Sequence, residues 1–359
     1  MNSIVRLTRS GRVQEATYAI QNALLRIAPG NPPTSVNSER VDFAPTLRRP
    51  LGEAVAQLGK SPRKLLRNRQ NPTLHIPSGA KFLVNSFTCA AGTRTYRLYV
   101  PSVLPSCPRG LLVMLHGCTQ NSLDFAAGTR MNELAEAEGL LVVYPDQAVS
   151  ANSSGCWNWF NPSDQAHGTG EPSIIAGITS EIAAKYNVDP RRAFIAGLSA
   201  GGAMAVVMGH TYPDLYEAVG VHAGLPFRAA NDVISAFAAM RGEARTKKLH
   251  MKPRVIVFHG DTDKTVHPSN AGAITTNRQK SRTQTNNGVS PNGAKYTLTT
   301  VLDDKNIRLS EHWLLHGVGH AWSGGSRDGS YTESDGLDAS REMVNFFLHP
   351  STKSQQIEH

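Results

Sequence analysis

Short, mostly apolar runs alternate with longer stretches at helical spacing through most of the chain. The runs at 111–115, 140–144, 194–196, 219–222, 255–259 and 312–315 hold no charged residue. A strand buried on both faces shows such a continuous run rather than apolar–polar alternation. Helical patterns lie between and after them, at 131–138, 174–186, 200–211 and 335–348. Apolar strands alternating with helices predict an α/β fold: a mostly parallel central sheet with helices on both faces. Residues 82–89 and 95–100, joined by Ala-Ala-Gly-Thr, predict an antiparallel hairpin at the N-terminal edge. Residues 283–294 are polar and rich in Asn and Gly, and are expected to form a surface loop.

The first 81 residues read differently. Val13, Ala16, Ile20 and Leu24 fall at helical spacing, which predicts a short amphipathic helix over 10–25. Docking on its own domain and binding a partner are equally served by such a helix. Residues 29–80 carry Pro, Asn, Ser and Arg without periodicity and read as linker, with a helical piece at 51–58. The expected organisation is an N-terminal extension (1–81), an α/β domain (82–349) and a C-terminal tail (350–359).

With 359 residues, 40% hydrophobic and 18% charged, the composition is that of one large globular domain plus an extension. No run approaches the roughly 18 consecutive apolar residues that a membrane-spanning helix needs. The charged start, Met1 to Arg9, is followed by no apolar signal core, so a cytoplasmic location is expected. The net charge of +9 is unevenly placed. Residues 1–82 hold 13 Lys/Arg against 4 Asp/Glu, whereas 83–359 hold 24 of each. The basic arm is either simply solvated or a tether to an anionic surface. No interleaved aromatic motif accompanies it, which argues against nucleic acid. Four cysteines, Cys89, Cys107, Cys118 and Cys156, form no C-x-x-C pair. Cys118 and Cys156 are the candidate disulfide, a pairing at odds with a reducing cytoplasm.

The candidate chemistry centres on Gly197-Leu198-Ser199-Ala200-Gly201, a G-x-S-x-G sequence between an apolar run and a small, apolar helical stretch. Strand, sharp turn and helix are the context in which this pentapeptide presents a nucleophilic serine. A serine hydroxyl needs a general base, a group orienting that base, and oxyanion donors. Partners are expected in the order acid, then His, after later strands. The run at 255–259 leads into Asp261 and Asp263; that at 312–315 leads into His316 and His320. Asp263 is favoured over Asp261, which suits bonding to its own tight turn. His320 is favoured over His316 because it lies further along a glycine-rich loop. The expected oxyanion donors are the backbone N–H groups of Cys118 and Ala200. His116, His259 and His320 could be imagined as metal ligands, but no H-E-x-x-H and no Cys–His pair at zinc spacing is present. No metal or cofactor is expected. Trp157, Asn158, Trp159 and Phe160 offer an apolar wall beside the serine. Trp157, Trp159, Trp322 and His116 are therefore candidate substrate-binding residues, core packing being the competing role for each ring. Glu171 reads as a helix N-terminal charge rather than a catalytic acid.

Five segments, 115–120 (Leu-His-Gly-Cys-Thr-Gln), 156–160 (Cys-Trp-Asn-Trp-Phe), 197–204, 259–263 (His-Gly-Asp-Thr-Asp) and 319–322 (Gly-His-Ala-Trp), occur in one order. Together they resemble the poly(3-hydroxybutyrate) depolymerase family of esterases, related to feruloyl and acetylxylan esterases. The resemblance spans about 82–349 and implies an α/β-hydrolase fold with Ser199, Asp263 and His320 as triad. It implies a cofactor-free serine esterase acting on polyhydroxyalkanoate-type oligomers, amorphous polyester or small esters. Polymer-degrading relatives append a polymer-binding domain, whereas this chain ends soon after its last expected helix. A feruloyl or acetylxylan esterase is the alternative within the class. A serine peptidase on the same fold and a non-catalytic granule- or surface-binding protein are the alternatives outside it.

Overall fold

The computed structural model describes Pro72 and residues 74–244, 249–275 and 281–351. The helix expected at 10–25, the piece at 51–58 and nearly all of the basic linker lie outside the described residues. Twelve strands are formed among those described: β1 (Lys81–Cys89), β2 (Gly92–Val100), β3 (Leu111–Leu115), β4 (Leu141–Pro145), β5 (Ala193–Leu198), β6 (Ala218–His222), β7 (Arg254–Gly260), β8 (Arg282–Val289), β9 (Lys295–Leu302), β10 (Arg308–Leu315), β11 (Trp322–Ser323) and β12 (Thr332–Glu333). The helices are α1 (Ser122–Thr129), α2 (Met131–Glu138), α3 (Gly170–Lys185), α4 (Ala200–Thr211), α5 (Val233–Met240), α6 (Ser269–Ile274) and α7 (Ala339–Leu348). None is long and apolar enough to cross a membrane.

Ten strands make one sheet in the order β1-β2-β4-β3-β5-β6-β7-β10-β9-β8. From β4 to β10 all neighbours are parallel; β1–β2, β2–β4, β10–β9 and β9–β8 are antiparallel. Alternate side chains serve opposite layers. Val113, Leu115, Ile195, Val219, Val221 and Val257 pack with Ile175 and Ile178 of α3 and Met204 of α4. Leu112, Met114, Phe194, Ile256 and Phe258 pack with Phe125, Met131, Met343 and Phe347 from α1, α2 and α7. Burial on both faces is why these strands lack a polar side.

The chain order reverses beside β3: β4 lies on one side of it and β5 on the other. Such a switch leaves a crevice at the carboxyl ends of the parallel strands, where ligands bind in open α/β sheets. The loops after β3, β5, β7 and β10 all open there.

Two expectations change. The surface loop expected at 283–294 is instead most of β8 and the tight turn that leads into β9. The strand is invisible to a search for apolar runs because β8 is an edge strand exposed on both faces. Its backbone pairing and the Thr285–Thr299 and Thr297–Asn287 side-chain bonds hold it. The domain is also wider than 82–349. Leu74, Ile76 and Ala80 pack on the layer formed by α1, α2 and α7. At the other end, the Arg308 N–H donates to Pro350 O (2.8 Å), and Ser351 bridges to Ile307.

The start of α4 lies hard against the end of β3. A Cβ on Gly201 would stand 2.1 Å from Leu115 O and 2.5 Å from His116 O. In an open helix Gly→Ala gains about 1 kcal/mol. Here the sign reverses: Gly201→Ala is expected to cost about 1–3 kcal/mol, the usual range for overpacking, read as a lower urea midpoint. An unchanged or raised midpoint would contradict this close approach.

Candidate active site

Ser199 joins β5 to α4 with φ 57° and ψ −118°, a conformation side chains disfavour. Two things hold it there. Its N–H donates to His222 O at the end of β6 (2.9 Å), and the flanking glycines let backbones meet. A Cβ on Gly197 would lie 2.4 Å from the Gly201 carbonyl carbon. The turn therefore lifts the hydroxyl above the sheet at the start of α4, whose N-terminal dipole favours negative charge.

Asp263 and His320 meet. Their Nδ1–Oδ2 distance is 2.7 Å, with the Asp263 side chain fully buried and His320 partly open. Burial raises the Asp263 carboxyl, but bonds from His259, His320 and the Val266 N–H outweigh it and hold it well below the usual carboxylate range. An ionised carboxylate only accepts, so the proton of neutral His320 sits on Nδ1 and Nε2 is left as base. Asp263 Oδ1 also accepts from the N–H groups of Thr265 and Val266 (2.8 and 2.9 Å). His259 Nε2 donates to Val266 O (2.8 Å) and lies 3.4 Å from Asp263 Oδ2. Asp263 therefore bonds its own turn, the role assigned in advance to Asp261. Asp261 instead accepts from Gly317 N–H (2.8 Å) and pairs with His316 Nδ1 (2.9 Å). His316 is tied on its far side to Thr297 Oγ1 (3.0 Å).

In the turn after β3, Gly117 N–H donates to Gln120 Oε1, Thr119 N–H to Ser154 O and Gln120 N–H to Gly117 O. Cys118 N–H is the one amide there without an acceptor among the described residues, and Ala200 N–H at the start of α4 has none either. Cys118 and Cys156 are joined by a disulfide, with Cα atoms 4.2 Å apart. Gln120 Nε2 donates to Asp124 Oδ2 (2.8 Å) and Ser330 O (3.0 Å), tying the turn to the loop before β12.

The residues expected to touch substrate need correction. Trp157 is fully buried, and its Nε1 donates to His116 O (3.1 Å). Trp322 is buried against His222, with Nε1 donating to Ser340 Oγ (3.0 Å). His116 is buried too, bonded at Nδ1 to Gly117 O and at Nε2 by Gln147 N–H. Their surfaces are used by the core, so they brace the site rather than line it. Trp159 is also buried, edge-on to Phe160.

Of three supporting residues, His222 and Gln147 had no advance signal, and Glu171 was expected only as a helix N-terminal charge. His222 carries the carbonyl under Ser199. Its ring, pushed down to about 3 by burial and by neighbouring His259 and His320, is neutral and accepts from Ser323 N–H (3.1 Å). Gln147 and Glu171 meet beneath the disulfide; their partners are widely separated in the chain. Among the described residues no cluster of three His, Cys, Asp or Glu side chains could hold a metal ion.

A family profile described as "Esterase PHB depolymerase" matches residues 94–295. The chain belongs to this family. It is similar to poly(3-hydroxyalkanoate) depolymerase C of Paucimonas lemoignei, with 34% identity over 52% of this chain and 48% of that protein. It also matches a probable acetylxylan esterase A of Aspergillus fumigatus (31%, covering 56% and 58%). Feruloyl esterase B of Neurospora crassa is 30% identical, covering 47% and 64%. The chain thus spans about half to two thirds of the length of these relatives. Among solved structures, an acetyl xylan esterase from Aspergillus awamori superposes with TM-score 0.58 at 21% identity, over 75% of this chain and 99% of that one. That likeness shows the esterase family's α/β-hydrolase fold.

Alkylation and mass analysis of unreduced, unfolded protein should find two free thiols, Cys89 and Cys107. Four alkylated cysteines would contradict the bridge beside the turn after β3.

Proposed function

We propose that the chain is a serine carboxylic-ester hydrolase working through an acyl-enzyme. The observation that carries this reading is the His320–Asp263 pair, at 2.7 Å, on loops that open beside the Ser199 elbow. Ser199 Oγ attacks the ester carbonyl while His320 Nε2 takes its proton. The carbonyl oxygen becomes an oxyanion that accepts from Cys118 and Ala200 N–H. Collapse of this intermediate expels the alcohol, protonated by His320, and leaves Ser199 acylated. Water, deprotonated by His320, then attacks the acyl carbonyl and releases the acid. Asp263 holds the imidazole in the required tautomer and stabilises its protonated form. Each oxyanion donor is worth about 3–4 kcal/mol in reactions of this kind.

For substrate we propose hydroxyalkanoate oligomers, amorphous polyester or related small esters, a reading supported by the depolymerase relative. Esterified plant polysaccharide, as in an acetylxylan or feruloyl esterase, is the second reading, supported by relatives of those names. A basic arm tethering the enzyme to an anionic surface remains part of the proposal.

Hydrolysis of p-nitrophenyl butyrate separates the roles. Ser199→Ala should abolish it, and full activity in that variant would end the proposal. Asp263→Asn should lower kcat by about 10⁴, the cost of the wrong imidazole tautomer. Asp261→Asn should stay within about tenfold, or 1.4 kcal/mol; the reverse order would transfer the acid role to Asp261.

A further inference from the structure

A buried polar cluster that the proposed reaction does not use lies beneath the oxyanion turn. At its centre is Glu171, the second residue of α3, 3% exposed. Its two carboxylate oxygens receive four donors. Oε1 accepts from Asn158 Nδ2 (2.8 Å), Arg94 Nη2 (3.4 Å) and Gln147 Nε2; Oε2 accepts from Asn158 N–H (2.8 Å).

Two of the three donor residues, Gln147 and Asn158, lead towards Cys118. The backbone N–H of Gln147 donates to His116 Nε2 (3.1 Å), two residues before Cys118. Its side-chain Nε2 donates to Cys156 O (2.8 Å), the residue bonded to Cys118 through sulfur. Asn158 follows Trp157, whose Nε1 holds His116 O. One carboxylate thus braces both chains that carry the disulfide.

Only an acceptor fits this place. A glutamine there would turn its NH₂ either on Asn158 N–H or on the three donors at Oε1, and one donor pair would face another. A carboxyl proton creates the same conflict. We infer that Glu171 is a positioning residue that fixes the Cys118 N–H in the oxyanion hole through Gln147 and the Cys156–Asn158 segment.

The inference rests on the serine-esterase reading and adds a pH dependence to it. Burial, then the nearby Asp164, pushes the Glu171 carboxyl up to about 7, against the bonds from Gln147 and Asn158 and the charge of Arg94. Asp164 Oδ1 accepts the Glu171 N–H (2.7 Å). His116, the remaining ionisable neighbour, is held neutral by burial, which lowers it. As pH falls through about 7, Glu171 gains a proton and the brace loses an acceptor. His320 must also be unprotonated to act as base. Protonation of His320 removes the base and protonation of Glu171 weakens the brace, whereas a variant without the carboxyl responds to the first alone.

The test compares wild type, Glu171→Gln and Ser199→Ala on p-nitrophenyl butyrate, with an alkyl trifluoromethyl ketone as probe. That ketone adds Ser199 Oγ to its carbonyl carbon and leaves an oxyanion where the ester's would stand. In Glu171→Gln, kcat should fall and the ketone's inhibition constant should rise, each by about 10–100-fold, below the 10²–10³ for losing a donor outright. KM should stay within about twofold, as for an interaction made only in the transition state. As pH falls through about 7, wild-type kcat/KM should lose its advantage of about 10–100-fold and converge on the variant's. Unchanged kcat and inhibition constant, or a wild-type-to-variant ratio that stays constant with pH, would overturn the inference. Should Glu171→Gln not fold, wild type alone decides. The ketone's inhibition constant must then rise by more than a single protonation accounts for as pH falls through and below about 7, and a one-proton rise throughout overturns it. Activity surviving in Ser199→Ala would instead remove the serine-esterase reading.

Discussion

Everything at the carboxyl edge of the sheet depends on how closely α4 can approach β3. Gly201 lies against the carbonyls of Leu115 and His116, and Gly197 lies under Gly201, so neither position has room for a Cβ. This contact fixes Ser199 at positive φ and brings the first amide of α4 beside the turn that carries Cys118. The candidate nucleophile and both candidate oxyanion donors are thereby set by backbone. Fixed backbone dipoles cost no reorganisation as charge develops, which makes them effective in catalysis.

Around this backbone frame the buried titratable groups are held in different states by different partners. Asp263 is kept ionised by three donors despite its burial. His222, with no carboxylate bonded to it, is pushed down to about 3 and serves as a neutral acceptor. Glu171 keeps its donors, but burial and then the nearby Asp164 push it up to about 7. Burial drives all three groups towards the neutral form. The count and sign of neighbouring groups decide whether it prevails.

Legibility in the sequence followed burial. The strand at 111–115 and the helix at 200–211 were readable to the residue, because a buried element leaves an almost unbroken apolar signal; the helix at 131–138, buried on one face only, was readable from its spacing. The exposed β8 left none. At the site, order along the chain was enough to single out Ser199, Asp263 and His320 as candidates. Side-chain direction was not readable. Trp157 and Trp322, which sequence alone could place in a wall or in the core, are in the core. Glu171 does stand at a helix start, yet its carboxylate faces Arg94, Gln147 and Asn158, which are 77, 24 and 13 positions away. Nothing in local spacing brings those three together.

The central claim, that Ser199 is an activated nucleophile, is tested most directly by covalent labelling. An alkyl fluorophosphonate loses fluoride when an activated serine attacks its phosphorus. Trypsin should release residues 193–228, between Arg192 and Arg228, as one fragment whose single serine is Ser199. One phosphonyl group per chain, carried on that fragment, is the expected result. A label on another fragment, or an unlabelled chain that still hydrolyses esters, would contradict it.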